Sequence, residues 1–387
     1  MKTVLFRASV LTQSGYGVHA RQVARWLLSK KDIDVKFQAL PWGDTPWILN
    51  RDSHDGLIGQ IMDRTVDVGP NDRYDMSIQL QLPNEWDSSI AKFNVGMTAA
   101  VETDKCNPEW VLACNKMDEI IVPSEHVKSC LTNTGNVFKQ VHVIPESFVD
   151  AIKTQELPEL PKFSTNFNFL VFGQFTGNNP MNDRKNTFNT LKWLCESFKN
   201  DHDVGIVLKT NLGRNTKIDR NAVKGILTQF LREIRPSGFP KIHLLHGDMS
   251  DAEVAALYVH PQVKALVTLT RGEGYGLPIL EAAASGLPVI APGWSGHMDF
   301  LKHGKFINVF YQLAEIHPSR VDNKIFMSGT RWANPSEEDF KKKIVKFRSN
   351  HDIPKQWAHD LKEKLHAAYS FERVSEQYDV VLSERLK

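Results

Sequence analysis

The chain has 387 residues, of which 41% are hydrophobic and 24% charged, a composition typical of a globular protein with room for two ordinary domains. Its net charge of +2 is too small by itself to indicate nucleic acid or a membrane surface as a partner, and no apolar run approaches the length of a bilayer span. The four cysteines form neither a C-x-x-C pair nor a zinc-like spacing with histidine, so we predict reduced structural thiols and a cytoplasmic location.

The first half of the chain begins with a predicted buried strand, Thr3–Ala8, followed by a glycine-containing loop and an amphipathic helix. Gly15 and Gly17 lie in that loop, the usual place for a dinucleotide-binding fingerprint. The fingerprint is incomplete, because Ala20 occupies the position of its third glycine. The further strands predicted in this half span residues 35–40, 75–82, 93–98, 119–122 and 141–145.

Two Asp-x-Asp sequences, at residues 32–34 and 201–203, have the spacing of a possible metal site. Metal chemistry beside a diphosphate needs these acids at the end of a strand. Here both pairs precede predicted strands, at 35–40 and 204–209, and such positions are typical of turns. We therefore predict no metal site.

The second half follows a stretch rich in proline, residues 151–164, which we interpret as an interdomain linker. A strand at Asn168–Gly173 is followed by a polar loop, Gln174–Asp183, and then by Arg184 and Lys185 at the start of a helix. Cations at this end oppose the helix dipole, and an anionic ligand would explain the conflict. Strands and helices then alternate, which indicates a parallel sheet covered on both faces.

The most informative stretch is a strand–turn–helix–strand sequence around residues 265–291. Its turn is rich in glycine, a helix is predicted to begin at Leu277, and Glu273 and Glu281 are separated by eight positions. Glycines allow backbone N–H groups to approach a ligand closely, and a helix N-terminus favours phosphate. A carboxylate can accept two hydrogen bonds from a sugar diol. The pattern therefore predicts a site for a nucleotide diphosphate and a sugar.

This motif, R-G-E-G-Y-G-L-P-x-x-E over Arg271–Glu281, resembles the Glu-x7-Glu signature of retaining glycosyltransferases with the GT-B fold, most closely those of family 4. The resemblance implies that Glu281 holds the nucleotide ribose and that Glu273 contacts hydroxyls of the donor sugar. It also implies that backbone amides between the two glutamates contact the sugar and the phosphates. These amides belong to Gly274, Tyr275, Gly276 and Leu277.

The resemblance extends to the cations that bind the donor diphosphate in this family. Lys185 matches the family's lysine, and Arg184 precedes it as in some members. The arginine expected after the strand's glycine is missing, because Gln174 stands there, so the clamp is predicted to rest on Arg184 and Lys185 alone. Lys209, at the end of the next predicted strand, is expected to face the same donor.

On the other half, the resemblance places Gly15 and Gly17 near the donor phosphate and the acceptor. Glu102 occupies the place after a strand where related enzymes often carry a histidine near the donor sugar, and a helix-capping or salt-bridging role is equally open. Residues 41–50 carry two tryptophans, which would suit either an acceptor-side surface or local packing.

The resemblance implies an α/β chain with the GT-B fold: two Rossmann-like domains, a nucleotide-sugar cleft between them, and a C-terminal helix that crosses back. The predicted parts are an acceptor-side domain at 1–150, a linker at 151–165, a nucleotide-sugar-binding domain at 166–368, and a helix at 369–387 that packs on the first domain.

The predicted function is a retaining, metal-independent hexosyl or other glycosyl transfer from a nucleotide-diphosphate sugar to an acceptor hydroxyl. UDP and GDP sugars are the expected donors, and no further cofactor is expected. Three alternatives stay open: a sugar-phosphate synthase or phosphorylase, a glycoside hydrolase using the paired carboxylates, and a sugar-nucleotide-binding protein without turnover. The acceptor is open among glycan, lipid, protein, small metabolite and modified nucleic-acid base. A basic cluster at 341–348 is either a solvated helix face or a membrane or polynucleotide contact.

Overall fold

The computed structural model describes residues 1–154, 156–175, 179–235 and 238–387. Gln155 of the predicted linker and residues 176–178 of the predicted polar loop lie outside the described residues. The described chain divides into two compact units. Unit 1 comprises Met1–Ser147, Asn323–Met327 and Phe371–Lys387, and unit 2 comprises Phe148–Asp322 and Ser328–Ser370.

Unit 1 is built on a six-stranded parallel sheet in the order β2-β1-β3-β4-β5-β6. Its strands are β1 (Lys2–Ala8), β2 (Ile33–Ala39), β3 (Tyr74–Leu80), β4 (Ala91–Met97), β5 (Glu119–Val122) and β6 (Gln140–Val143). Its helices are α1 (Gly15–Leu28), α2 (Leu57–Asp63), α3 (Pro108–Cys114), α4 (Glu125–Thr134) and, at the end of the chain, α12 (Phe371–Leu386).

Helix α12 contributes four buried side chains to the core of unit 1, where they pack with residues of α1 and the sheet. Its polar atoms are held as well: Tyr378 Oη lies 3.1 Å from His19 Nε2, and Trp26 Nε1 donates to Asp379 Oδ1 at 2.9 Å. The C-terminal helix is therefore an integral layer of unit 1. The four core residues are Val374, Tyr378, Leu382 and Leu386.

Unit 2 contains a second six-stranded parallel sheet, in the order β12-β11-β10-β7-β8-β9, and a two-stranded antiparallel hairpin. The sheet strands are β7 (Phe167–Phe172), β8 (Val204–Thr210), β9 (Lys241–His246), β10 (Val263–Val267), β11 (Val289–Pro292) and β12 (Ile307–Val309). The hairpin consists of β13 (Tyr311–Glu315) and β14 (Arg331–Pro335). The helices are α5 (Thr187–Ser197), α6 (Lys217–Ile234), α7 (Asp251–Tyr258), α8 (Leu277–Ala284), α9 (Met298–Leu301), α10 (Glu337–Ser349) and α11 (Asp352–Tyr369).

Both sheets are parallel because their strands alternate with helices along the chain, and each sheet is buried between helical layers. The predicted α/β class with two Rossmann-like sheets is therefore confirmed. In a sheet of this kind, ligands bind beyond the carboxyl ends of the strands, where the loops gather. The predicted donor motif follows β10 in unit 2, and the predicted glycine loop follows β1 in unit 1.

The basic cluster at 341–348 lies on α10, whose residues Phe340, Ile344 and Phe347 face the core of unit 2. Several of its cations are bound to acids: Lys341 Nζ lies 2.6 Å from Glu196 Oε2, and Lys343 Nζ lies 2.7 Å from Asp339 Oδ2. Arg348 contacts both acids of the second Asp-x-Asp pair, at 2.9 Å from Asp201 and 3.3 Å from Asp203.

Candidate functional site

The glycine-rich turn after β10 leads directly into helix α8. Gly276 precedes the first helical residue with a φ of 103°, a left-handed value that favours glycine. Pro278 lies in the first turn of α8, where its missing N–H costs no intrahelical bond. The described first turn of α8 carries no acidic side chain, so its N–H groups and dipole favour an anion, as the sequence predicts.

The loop after β11 packs tightly against this turn. Gly296 N donates to Glu273 O at 2.9 Å, and a Cβ added at Gly296 would lie 2.1 Å from Gly274 O. Glycine is therefore required at position 296 for the two loops to meet. This contact joins segments more than twenty residues apart, and the motif alone does not predict it.

A buried hydrogen-bond chain fixes the backbone of Glu273. Glu273 N donates to Ser295 Oγ at 2.9 Å, and Ser295 Oγ lies 3.4 Å from His297 Nδ1. His297 Nε2 lies 2.7 Å from Pro292 O, a carbonyl that can only accept, so the ring proton is on Nε2 and Nδ1 accepts from the serine. Burial lowers the pKa of His297, which keeps the ring neutral. Sequence reasoning missed Ser295 and His297, because only the fold brings them to the motif.

Both predicted clamp cations converge on the Glu273 carboxylate. Lys185 Nζ lies 2.8 Å from each of its oxygens, and an Arg184 guanidinium nitrogen lies 3.5 Å from Oε2 and donates to Gly272 O at 3.1 Å. Glu273 is only 8% exposed. Burial alone would raise its pKa, but the charges of Lys185 and Arg184 outweigh burial and lower it to about 2. Glu273 is therefore ionised, and the three side chains together carry one net positive charge.

Asp183 holds the start of helix α5, which begins directly after the segment that carries both cations. Its Oδ2 accepts hydrogen bonds from Thr187 N at 2.6 Å and Phe188 N at 3.3 Å. Asn186 has a φ of 53°, and its Nδ2 donates to Leu269 O at 3.0 Å, which ties the helix start to the segment after β10. The sequence predicted a conflict between the cations and the helix dipole. In the structure, Asp183 binds the helix N–H groups, and Glu273 compensates the cations.

Arg271, in the motif but without a role in the sequence prediction, is a buried structural residue. Its guanidinium donates to Asn334 Oδ1 at 2.6 Å and to the carbonyls of Asp183 and Pro180, at 3.3 and 3.1 Å. Burial lowers its pKa to about 10, against the opposing effect of Asp183. Arg271 therefore ties the clamp segment to the glycine turn and to β14.

Glu281 lies in the second turn of α8 and is 8% exposed. Tyr258, at the end of α7, donates its hydroxyl to Glu281 Oε2 at 3.0 Å. Burial raises the pKa of Glu281 to about 8; the hydrogen bond from Tyr258 opposes the shift, and the charge of Asp251 adds to it. At neutral pH the carboxyl group is therefore mostly protonated. Tyr258 is a further functional candidate that sequence reasoning missed.

The structure places Lys209 at the carboxyl end of β8. Its ammonium donates to Gly247 O and Asn211 Oδ1, both at 2.7 Å, and burial lowers its pKa to about 8. These bonds hold the lysine between the loops after β8 and β9. Its predicted contact with the donor stays a prediction.

In unit 1, close packing requires glycine at position 17, because a Cβ there would lie 2.0 Å from Thr12 O. Gly15 is exposed at the first position of α1, and a Cβ added there meets nothing within 4 Å. Glu102 is partly buried in the loop after β4 and lies near enough to Tyr16 to affect the pKa of that phenol. The predicted ligand contacts of all three residues stay predictions.

Across the four described ranges, no three or more His, Cys, Asp or Glu residues are grouped as metal ligands would be. Among the helices in the described part, none combines the length and apolar character needed to cross a bilayer.

A family model matches part of the sequence. Residues 242–377, which include the complete Glu-x7-Glu motif, match the model described as "GT4-conflict: Family 4 Glycosyltransferase in conflict systems". No curated protein matches the sequence.

The fold matches many solved structures over nearly the whole chain. A glycosyltransferase from Rickettsia africae ESF-5 has a TM-score of 0.66 at 12% identity, covering 100% of this chain and 99% of its own. Sucrose-phosphate synthase from Thermosynechococcus elongatus has a TM-score of 0.62 at 12% identity, covering 99% of each chain. Anabaena HepE, solved in complex with UDP and glucose, has a TM-score of 0.60 at 13% identity, covering 99% of this chain and all of its own.

At these identities the structural matches establish the fold, and the family match covers residues 242–377, the part of the chain that contains the paired glutamates. The predicted resemblance is confirmed by both findings. The chain therefore has the GT-B fold of these solved structures, and its residues 242–377 are similar to family 4 glycosyltransferases.

Proposed function

We propose that the protein is a retaining, metal-independent glycosyltransferase that moves a sugar from a nucleotide-diphosphate donor to an acceptor hydroxyl. The observation that carries the proposal is the convergence of Lys185 and Arg184 on Glu273, beside the N-terminus of α8. This arrangement supplies positive charge and backbone donors in one place, which suits a diphosphate. Two protein cations can then neutralise the leaving group in the role that a metal ion has in other transferases.

The donor would bind along the motif from Glu273 to Glu281. Lys185 and Arg184 bind the diphosphate, together with the backbone N–H groups of Gly274 to Leu277 at the helix start. Glu273 keeps the two cations in position and accepts hydrogen bonds from hydroxyls of the donor sugar. Glu281 accepts the two ribose hydroxyls, and Tyr258 holds its carboxyl group in place.

The reaction needs no protein nucleophile in this proposal. The acceptor oxygen forms a bond to the anomeric carbon on the face that the diphosphate leaves, so the anomeric configuration is retained. The bond between that carbon and the diphosphate oxygen breaks, and a phosphate oxygen takes the acceptor's proton. Catalysis then depends on stabilising the negative charge that develops on the departing diphosphate, which is the task of Lys185, Arg184 and the helix N-terminus.

A thermal-shift screen against UDP, GDP, ADP and their common sugar conjugates, with Mg²⁺ and with EDTA, tests the donor site. A ligand at one hundred times its dissociation constant adds about 2.7 kcal/mol of stability, which raises the melting temperature by a few degrees. We expect one nucleotide to give this shift equally with Mg²⁺ and with EDTA. If no nucleotide raises the melting temperature, the donor site is wrong; a shift that EDTA abolishes contradicts metal independence.

Product analysis tests the transfer itself. The purified protein is incubated with the selected donor and a panel of acceptors, and the anomeric configuration of the product is read by NMR. The panel includes phosphorylated sugars, because one protein of similar fold is a sucrose-phosphate synthase. An inverted product contradicts the retaining mechanism.

A further inference from the structure

Helix α6 (Lys217–Ile234) presents most of its surface to solvent. Of its 18 residues only Val223 and Leu227 are buried, and both belong to a core cluster of unit 2. Three further apolar residues near its end are partly buried against the same core, namely Phe230, Leu231 and Ile234. A helix packed along so narrow a stripe leaves a wide outward face, whose composition the core does not determine.

The outward face of α6 is rich in cations. Residues 211–234 contain five lysines or arginines and two acids, an excess of three positive charges in a chain whose total is +2. Lys217, Arg220 and Lys224 are exposed and follow one another at i, i+3 and i+7, so they share one side of the helix. Arg232, also exposed, extends the row of cations to about 22 Å along the helix axis.

These charges are not neutralised within the described part of the chain. Lys217, Arg220 and Lys224 form no ion pair there. Asp219 lies among them in sequence, but its carboxylate accepts hydrogen bonds from Thr216 N and Thr216 Oγ1, both at 2.8 Å. The basic cluster on α10 differs, since three of its cations are bound to acids. The outward face of α6 is therefore a positive surface that attracts an anionic partner.

The residues between the cations favour a polynucleotide over a membrane. Asn221, Thr228 and Gln229 are exposed, and side chains of these types hydrogen-bond to phosphate oxygens in protein–DNA complexes. A helix that lies on a bilayer needs an apolar face of several large residues. Over the described length of α6, Ile218 is the one large apolar side chain that is more than half exposed, at 80%. A single exposed residue of this kind is normal on a protein surface.

The same face favours a duplex over a single strand. Single-stranded nucleic acid is bound largely by stacking its bases on exposed aromatic rings. The only aromatic residue in the sequence from 211 to 234 is Phe230, which is partly buried against the core. Duplex DNA carries one negative charge for about every 1.7 Å of its axis, and cations can bind this backbone without reading any base. A row of cations without exposed aromatic rings matches that ligand.

We infer that the outward face of α6 binds the phosphate backbone of a double-stranded polynucleotide, independently of its sequence. Lys217, Arg220 and Lys224 contact successive phosphates, and Asn221 and Thr228 hydrogen-bond to the phosphate oxygens between them. This surface is an addition to the proposed sugar transfer. It does not rest on the proposed transfer, because none of its residues belongs to the donor site.

Fluorescence anisotropy of a labelled duplex oligonucleotide, titrated with the full-length protein at several salt concentrations, tests this surface. The logarithm of the wild-type binding constant should fall linearly with the logarithm of the salt concentration, because binding releases counterions. Lys217→Gln combined with Lys224→Gln should weaken binding at low salt by about tenfold or more. It should also reduce the magnitude of the salt slope by about 2, since two phosphate contacts are lost.

Lys342→Gln combined with Lys346→Gln is the matched control. It removes the same two charges from exposed positions of α10, and it should leave both the duplex affinity and the salt slope at their wild-type values. All four lysines are exposed, so both double variants should keep the wild-type melting temperature. A loss of binding in the α6 variant then reports on the surface and not on folding.

Ile218→Ser separates a duplex from a membrane. Contact with phosphates does not use this side chain, so duplex affinity should be unchanged, and vesicles of phosphatidylcholine mixed with phosphatidylglycerol should not displace the duplex. Displacement by these vesicles, together with vesicle binding that Ile218→Ser weakens, would assign the surface to an anionic membrane instead.

Two further results would overturn the inference: no duplex binding by the wild-type protein at low salt, or an equal loss of binding in the α6 and α10 double variants. The nucleotide thermal-shift screen is an independent measurement of the donor site. A nucleotide shift without duplex binding would reject the α6 surface only, and duplex binding without a nucleotide shift would reject the proposed donor site only.

Discussion

At the scale of single residues, unit 2 contains two buried glutamates in opposite electrostatic environments. Glu273 lies against two cations and its pKa falls to about 2, whereas burial raises the pKa of Glu281 to about 8. Glu273 is thus charged at neutral pH and orders the cations, while Glu281 can exchange a proton when a hydroxylated ligand arrives. The same residue type serves two purposes because its neighbours differ.

Lys185→Met is expected to lower the rate of sugar transfer by on the order of 10²-fold or more, since it removes a charge that stabilises the leaving diphosphate. It should also cost on the order of 3 kcal/mol of stability, because buried Glu273 loses its closest cation. Steady-state kinetics and thermal unfolding measure the two effects.

The double variant Lys185→Met with Glu273→Gln separates stability from catalysis. It removes both charges of the pair, so most of the lost stability should return while the transfer rate stays low. Recovery of activity together with stability would show that Lys185 is only structural.

Glu281→Gln is expected to stabilise the ligand-free protein at high pH. The folded-state pKa of about 8 lies above the ordinary value of 4.5, so burying the carboxylate destabilises the fold increasingly from pH 4.5 to pH 8 and by a constant amount above that. Glutamine removes this charge. Melting temperatures measured at pH 5 and pH 8.5 should therefore show a gain of a few degrees at pH 8.5 and a much smaller one at pH 5.

The same variant should bind the nucleotide weakly at every pH, because an amide accepts the two ribose hydroxyls less well than a carboxylate. The wild-type affinity should rise as the pH rises toward 8, with a proton released on binding. Glu233→Gln, at an exposed position on α6, is the matched control and should change neither property. Equal nucleotide affinity at pH 6 and pH 8.5 in the wild type would contradict the assignment of Glu281 to the ribose.

At the scale of elements, the site is a set of loops fixed to one another by hydrogen bonds that involve the backbone. The turn before α8 is bound by Gly296 N and Ser295 Oγ from the loop after β11, and Arg271 N donates to Arg184 O at 2.9 Å in the segment before α5. Donors held in this way need little reorganisation when charge develops, which is what makes them effective.

Gly296→Ala is expected to disturb the donor site, because its Cβ would lie 2.1 Å from Gly274 O. The turn must shift, at a cost of about 1–3 kcal/mol, and nucleotide binding should fall sharply. Nucleotide thermal shift and calorimetry measure both effects. In Gly225→Ala, the control at an exposed position of α6, the new Cβ meets nothing within 4 Å, so this variant should gain about 0.5–1 kcal/mol of stability and keep its nucleotide affinity. Unchanged nucleotide affinity in Gly296→Ala would contradict the role of this contact.

At the scale of the whole molecule, the chain forms two units with separate cores, and its last helix completes the first of them. Leu382 of α12 is fully buried in the unit 1 core, whereas Val380 on the same helix is exposed. The stability of unit 1 therefore depends on residues that come last in the sequence.

Leu382→Ala should destabilise unit 1 by about 2–5 kcal/mol while leaving the nucleotide affinity of unit 2 intact below the unfolding temperature. Val380→Ala should change stability by no more than about 0.5 kcal/mol. Calorimetric unfolding with and without the nucleotide identified in the screen measures both. A large loss of nucleotide affinity in Leu382→Ala at low temperature would show that the donor site depends on unit 1 packing.

The sequence by itself determined the fold class, the glycosyltransferase resemblance and the presence of a C-terminal helix, because strand–helix alternation, glycine turns and amphipathic faces are local patterns. It also predicted the pair of motif glutamates and the Arg184–Lys185 pair, since their spacing relative to predicted element ends is visible in one dimension. Only the tertiary structure decided which groups meet. Ser295, His297, Tyr258 and Asp183 reach the motif through folding, and their chemistry leaves no periodic signal in the chain. The opposite pKa shifts of Glu273 and Glu281 follow from burial and neighbouring charge, quantities that exist only once distant segments are packed together.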